Sequence, residues 1–169
     1  KFIPNGYDLS ILKVSKNHKI NFKKKIKIKK RIPIIGYVAR YDPLKDHENL
    51  LNALSLIRSK GKDFFCILVG FNISKNKILI NKIKKLKLNN YIRLLRPVNN
   101  VSKIMNLLDI HVQSSSSEGF PNVVAEAMAH KTPCVVTNVG DSAYIVGQTG
   151  WVVPSNNSPK LAKAIEKAF

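Results

Sequence analysis

The sequence predicts an α/β fold, an open and mostly parallel sheet with helices on both faces. Three observations predict it. Continuous apolar runs, Ile34-Ile35-Gly36-Tyr37-Val38-Ala39 and Phe64-Phe65-Cys66-Ile67-Leu68-Val69-Gly70, read as strands buried on both faces. Between them Leu50, Leu51, Leu54 and Ile57 recur at the spacing of one helix face. The two textures keep alternating to the end of the chain, with no internal repeat.

The elements follow in order. Phe2-Ile3-Pro4 ends an extended piece that turns at Asn5-Gly6. Residues 13–31 are polar and basic and carry no helical stripe; Lys25-Ile26-Lys27-Ile28-Lys29 alternates, as an exposed edge strand or extended linker does. Residues 1–31 are therefore expected to be a linker and basic connector, and residues 32–169 the folded domain. The first core strand ends at the Asp42-Pro43 turn, and the first helix ends near Gly61. Ile78, Leu79, Ile83 and Leu86 mark a second helix with lysines on its outer face. Residues 91–95 form a short strand, 101–108 a short helix, 109–112 a strand, 123–129 a helix, and 133–136 a strand. Residues 151–153 form a short last strand, and Leu161, Ala162, Ile165 and Ala168 start a final helix.

The chain of 169 residues is one domain of ordinary size, and its 44% hydrophobic and 23% charged residues exclude a disordered chain. No apolar run approaches the roughly 20 residues that span a bilayer, and Lys1-to-Ser10 lacks the apolar core of a secretory signal. Cys66 and Cys134 lie in apolar runs without C-x-x-C spacing, which excludes a disulfide framework and a cysteine zinc site. Buried thiols in a reducing, cytoplasmic compartment are expected.

Twenty-nine Lys and Arg against ten Asp and Glu give a formal charge of +19. Such a charge suits nucleic acid, an anionic membrane face or a phosphorylated ligand. Yet only Arg31, Arg40, Arg58, Arg93 and Arg96 are arginines, and specific phosphate recognition favours the arginine fork. An excess of Lys, Ile and Asn also arises from base composition of a gene. The positions of the few Arg and Glu residues are therefore more informative than the total.

In open α/β sheets ligands bind beyond the carboxyl ends of the strands, which singles out residues 40–47, 96–100 and 114–122. In Arg40-Tyr41-Asp42-Pro43-Leu44-Lys45-Asp46-His47, two cations flank a turn stiffened by Pro43. The spacing leaves two readings open: exposed surface cations, or a fork and a point charge that share a diphosphate. In Ser114-Ser115-Ser116-Ser117-Glu118-Gly119-Phe120-Pro121-Asn122-Val123, Gly119 permits close backbone approach. Pro121 suits a first helical turn, whose free N–H groups are ready for an anion. Glu118 and Glu126, two of only ten acids, border this site. A carboxylate there accepts hydrogen bonds from sugar or ribose hydroxyls, although Glu118 also suits a helix dipole.

Glu118 and Glu126, with seven residues between them in a segment that opens Glu-Gly-Phe-Pro-Asn, resemble the hallmark of retaining family 4 glycosyltransferases of the GT-B fold. Ile3-Pro4-Asn5-Gly6-Tyr7-Asp8 resembles that family's interdomain segment, and Ala39-Arg40-Tyr41-Asp42-Pro43-Leu44-Lys45 its donor-phosphate loop. Thr132-Pro133-Cys134-Val135-Val136-Thr137, Gly140-Asp141 and Gly150-Trp151-Val152-Val153-Pro154 resemble its closing strands. The chain departs from the family at Gly70-Phe71-Asn72, where a Gly-Asp-Gly turn is usual, and at Ala39, where Gly is usual.

The resemblance implies a Rossmann-like domain, the C-terminal, donor-binding half of a GT-B enzyme, with the N-terminal acceptor domain absent. It implies catalytic roles for Arg40 and Lys45 on the donor diphosphate and for Glu118 on the sugar hydroxyls. It places Gly119, Phe120, Pro121, Asn122 and Val123 against sugar and phosphate, Glu126 on the ribose, and Arg96 and Val98 toward the base. The implied donor is a UDP- or GDP-linked hexose, with no cofactor and no metal. The implied acceptor is a glycan or lipid-linked molecule of a surface polysaccharide, with a peripheral contact at the inner membrane face. None of His18, His47, His111 and His130 matches the family's acceptor-domain histidine; His111 and His130 read as structural. The chain alone is expected to bind nucleotide and turn over little. Two alternatives compete: a basic nucleic-acid-binding module without enzymatic activity, and a nucleotide-sugar epimerase or phosphorylase of the same two-domain fold. The first lacks interleaved aromatics, and no cofactor lysine is identifiable for a phosphorylase.

Overall fold

The structure, a computed structural model, describes residues 32–169. The expected linker and connector, residues 1–31 with His18, lie outside the described residues. Six parallel strands form one sheet: β1 (Ile34–Val38), β2 (Phe65–Val69), β3 (Ile92–Leu95), β4 (Ile110–Gln113), β5 (Cys134–Thr137) and β6 (Trp151–Val153). Their spatial order is β3-β2-β1-β4-β5-β6, the doubly wound order of a Rossmann-like sheet. The direction of winding reverses between β1 and β4, which pair through Ile35↔Ile110 and Gly36↔His111.

Strand pleating divides the core. Ile35, Tyr37, Cys66 and Leu68 face one side, Ile34, Val38, Phe65, Ile67 and Val69 the other. The first side is covered by α1 (His47–Ser59), α2 (Lys77–Lys85) and α6 (Ser158–Ala168). The second is covered by α3 (Ser102–Met105), α4 (Asn122–Ala129) and α5 (Ser142–Val146). Gly36 lies on the second side because a Cβ there collides with the Leu108 side chain. Side chains of Asp46, Asn76 and Asn157 cap α1, α2 and α6 by accepting from the amides of Asn49, Leu79 and Lys160, each at 3.0 Å.

Both cysteines are buried and free, as expected. Burial pushes the Cys66 thiol far up and the Cys134 thiol up to about 12. His111 is fully buried in β4. Among the described residues no helix is long and apolar enough to cross a membrane.

Two expectations need correction. The helix expected over residues 101–108 is only α3, because Leu107 and Leu108 close tight turns onto Ile104 and Met105 and enter β4. The helix α5 was not expected, since five residues are too few for periodicity to declare itself.

Candidate functional site

Two loops meet at the reversal between β1 and β4. The first leaves β1 at Ala39, makes a 3₁₀ turn over Pro43–Lys45, and enters α1 at Asp46 in a left-handed conformation (φ 41°). The turn begins with the Asp42 carboxylate accepting from the Leu44 amide at 2.9 Å. That bond and the Arg40 guanidinium hold the Asp42 carboxyl below its ordinary value. The second loop leaves β4 at Gln113 and enters α4 at Asn122.

Three consecutive serines stitch the loops together. Ser114 Oγ donates to the carbonyls of Lys45 (3.3 Å) and Asp46 (2.9 Å). The Ser116 amide donates to the Leu44 carbonyl at 2.8 Å. Ser115 Oγ donates to Glu118 Oε1 at 2.6 Å, and the single Tyr37 hydroxyl proton is shared between Ser115 Oγ at 2.9 Å and the Lys45 carbonyl at 2.7 Å. Burial pushes the Tyr37 hydroxyl far above its ordinary value, so it remains a donor. Lys45 Nζ completes the cluster by donating to both Glu118 oxygens at 2.7 Å.

From behind, the Gly140–Asp141 turn supports this loop. The Asp141 amide donates to the Gly119 carbonyl at 2.9 Å. Gly140 has φ 51°, and a Cβ there collides with the carbonyls of Glu118 and Gly119. A cleft of about 290 Å³ opens in front, lined by Tyr37, Val38, Ala39, Arg40, Lys45, Glu118 and 120–123. It therefore combines two cations, one carboxylate and the N-terminus of α4, which no side chain caps. This set can bind an anion beside a group rich in hydroxyls.

Residues 18–169 match the family described as glycosyl transferases, group 1. The chain belongs to that family. It is 30% identical over 136 residues to the capsular polysaccharide biosynthesis glycosyltransferase CapM of Staphylococcus aureus, a match that covers 79% of this chain and 36% of CapM. It is 26% identical over 168 residues to the UDP-Gal:alpha-D-GlcNAc-diphosphoundecaprenol alpha-1,3-galactosyltransferase of Escherichia coli, which covers 96% of this chain and 43% of that enzyme. The crystal structure of Anabaena Alr3699/HepE in complex with UDP has a TM-score of 0.88 at 25% identity, covering 99% of this chain and 47% of that one. The chain thus spans less than half the length of each of these relatives.

Within this chain the expected site residues divide. Arg40, Lys45, Glu118, Phe120, Pro121, Asn122 and Val123 share the cleft, and Gly119 is held by Asp141. Pro121 sits at the cap position, one residue before the first turn of α4. The Arg40 side chain is 65% exposed, donates to Asp42 through Nε at 3.2 Å and forms an ion pair with it through Nη2 at 3.1 Å. Arg96 lines a separate, wider cavity of about 580 Å³ with Tyr41, Phe71, Lys75 and Pro97. Val98 is not among the lining residues of either cavity; it packs against the core on the α3–α4 side. Glu126 is half-buried in the second turn of α4, outside the 290 Å³ cleft, and burial raises its carboxyl above the ordinary value.

Three residues that shape the cleft or its support were given no role there by the sequence. Tyr37 looks like any apolar strand residue, and Ser115 is hidden in a run of four serines. Gly140 carries the one signal available, a glycine beside an acid after a strand, but its target 21 residues upstream is set by tertiary structure alone. His47 has a structural setting: buried between Tyr37 and Tyr41, ring centroids 5.0 and 5.6 Å away, it is held down to about 4 by burial.

Proposed function

We propose that this domain is the donor-binding half of a retaining GT-B glycosyltransferase that moves a hexosyl group from a nucleoside diphosphate sugar to a glycan or lipid-linked acceptor. The observation that carries it is the convergence of Arg40, Lys45 and Glu118 with the N-terminus of α4 in one cleft at the β1/β4 reversal. HepE, the 25%-identical structural relative, was crystallised with UDP, which supports a uridine diphosphate donor. CapM, named for capsular polysaccharide biosynthesis, and the galactosyltransferase, named for a diphosphoundecaprenol-linked acceptor, support a glycan or lipid-linked acceptor.

The mechanism follows from charge. Departure of a nucleoside diphosphate leaves an oxocarbenium-like sugar and negative charge on the leaving oxygen. Arg40, Lys45 and the α4 amides are positioned for that charge before the reaction begins, so little reorganisation is needed. Glu118 holds sugar hydroxyls, and Glu126 the ribose. Arg96 lies on the nucleoside side. The acceptor and its base come from the other domain, so this chain binds donor and turns over little by itself.

We place the enzyme in the cytoplasm, against the inner membrane face. Ile78 and Ile80 are exposed on α2 among Lys77, Lys84 and Lys85, which supports contact with anionic lipid. Absence of binding to anionic vesicles at low salt would remove that part of the reading.

Calorimetric titration with UDP tests the donor site. Binding that weakens by about two orders of magnitude in Arg40→Ala plus Lys45→Ala is expected. Unchanged affinity would overturn the phosphate assignment. Generic DNA or RNA binding with a steep salt dependence would favour the nucleic-acid alternative.

A further inference from the structure

We propose that Ser115, anchored by Tyr37, is a positioning residue that aims the Glu118 carboxylate and thereby sets how strongly the sugar of the donor is held. This rests on the donor reading above, in which Glu118 meets sugar hydroxyls.

A glutamate side chain has three rotatable bonds, and Glu118 lies in the loop that leads into α4 rather than within a helix or strand. Something must hold its carboxylate still for it to discriminate one sugar from another. Lys45 alone does this poorly, because its ammonium sits on a long flexible stem and binds both oxygens without fixing the plane of the carboxylate. Moreover, the same lysine is required for the diphosphate and must be free to shift toward it.

Ser115 supplies the missing constraint. It is fully buried, and its short side chain has only one torsion to position the hydroxyl. The 2.6 Å bond selects Oε1 over Oε2 and so fixes the rotation of the carboxylate. Its own position is fixed three times over. The Thr137 hydroxyl of β5 donates to the Ser115 carbonyl at 2.6 Å. Tyr37 of β1 lies 2.9 Å from its Oγ, and neighbouring Ser114 and Ser116 bind the carbonyls of Leu44 and Asp46. The chain therefore runs from β1 and β5, two rigid strands, through one hydroxyl to the acid that faces the cleft. A site held by rigid elements is more exact than one held by a loop.

The Tyr37 hydroxyl also binds the Lys45 carbonyl, so the one phenol registers the phosphate-binding loop and the sugar-binding loop against each other. Diphosphate and sugar positions are thereby set in a common frame.

The test is a double-mutant cycle read by calorimetry on this chain, with UDP, GDP, UDP-glucose, UDP-galactose and GDP-mannose. The quantity is the affinity ratio of the tightest-binding nucleotide sugar to its parent diphosphate. Ser115→Ala keeps the Tyr37–Lys45 and Thr137 bonds, so the variant retains its fold. The ratio is expected to fall about fivefold to tenfold in Ser115→Ala, with diphosphate affinity within about twofold. In a Glu118→Gln background, adding Ser115→Ala should change the ratio by less than about twofold, since the serine acts through the acid. An unchanged ratio in Ser115→Ala, or an equal fall with and without Glu118, overturns the proposal. A wild-type ratio near one for every sugar overturns it too, since Glu118 then holds no sugar. Wild type that binds neither UDP nor GDP defeats the donor reading itself and this proposal with it.

Discussion

Lys45 Nζ donates to both carboxylate oxygens of Glu118 at 2.7 Å, across 73 residues of sequence. The side chains are 21% and 10% exposed, so the pair lies between a screened surface bridge and a buried one. On the proposed donor reading, a phosphate would compete with Glu118 for the lysine, and the sugar hydroxyls with the lysine for Glu118. The pair keeps both groups in place and balances the charge of the cleft.

Separating the pair has opposite effects on two ligand parts. In Glu118→Gln the ammonium loses its negative partner, so UDP is expected to bind as tightly as to wild type or several-fold tighter. The additional affinity for a UDP-linked sugar is expected to disappear. Lys45→Ala leaves the carboxylate uncompensated and is expected to cost about 1–3 kcal/mol of stability, while UDP affinity falls about tenfold or more. Calorimetry and urea unfolding check both variants. Weaker UDP binding by Glu118→Gln would contradict this account of the pair.

Gly140→Ala tests the support behind the loop. The new methyl meets the Glu118 and Gly119 carbonyls, and the positive φ of 51° is itself unfavourable for alanine. A loss of about 1–3 kcal/mol in chemical denaturation is expected, together with weaker nucleotide-sugar binding. Gly61, also at positive φ but with nothing near its Cβ position, is the control: Gly61→Ala bears the backbone strain alone and leaves ligand binding unchanged.

Acid should destabilise the domain through two histidines. Burial holds His47 and His111 near 4, below the ordinary 6.5, so the unfolded chain takes up protons more readily than the folded one. Their contribution to stability is complete above pH 6.5 and is lost as pH falls toward 4, on the order of 3 kcal/mol for each. Urea midpoints measured from pH 7 down to 4.5 should decline, and His111→Leu should flatten the decline. A midpoint independent of pH over that window would contradict the buried neutral state of both rings.

The cavity beside Arg96 gives a separate expectation. Arg96 and Lys75 line its rim, away from the Lys45–Glu118 pair. Arg96→Ala should lower affinity for UDP about threefold, without altering the affinity for inorganic pyrophosphate. An equal loss for pyrophosphate would place Arg96 on the phosphates.

The strands were legible because each is a short apolar run, buried on both faces. The observed ends of β1 and β2 lie within one residue of the runs that announce them. The helices α1, α2 and α6 were legible because their buried residues recur at helical spacing. Arg40, Lys45 and Glu118 stood out because arginine and acid are scarce in this chain, and because the Glu-Gly-Phe-Pro loop resembles a known family. The short elements α3 and α5 and the 3₁₀ turn at Pro43–Lys45 carry too few residues for any period to show.

The sequence by itself determined the alternation of strand and helix, the two-sided burial of the sheet, and the residue types able to meet a diphosphate. These depend on local chemistry: which side chains leave water, and where a turn must fall. Tertiary structure alone decided that β1 and β4 are neighbours, that Lys45 meets Glu118, that Ser115 and Tyr37 hold that acid, and that Gly140 supports it. It also packed Val98 against the core and left Arg96 on the wider cavity. Each of these relationships joins residues brought together by the order of strands in space, and local preference carries no record of that order.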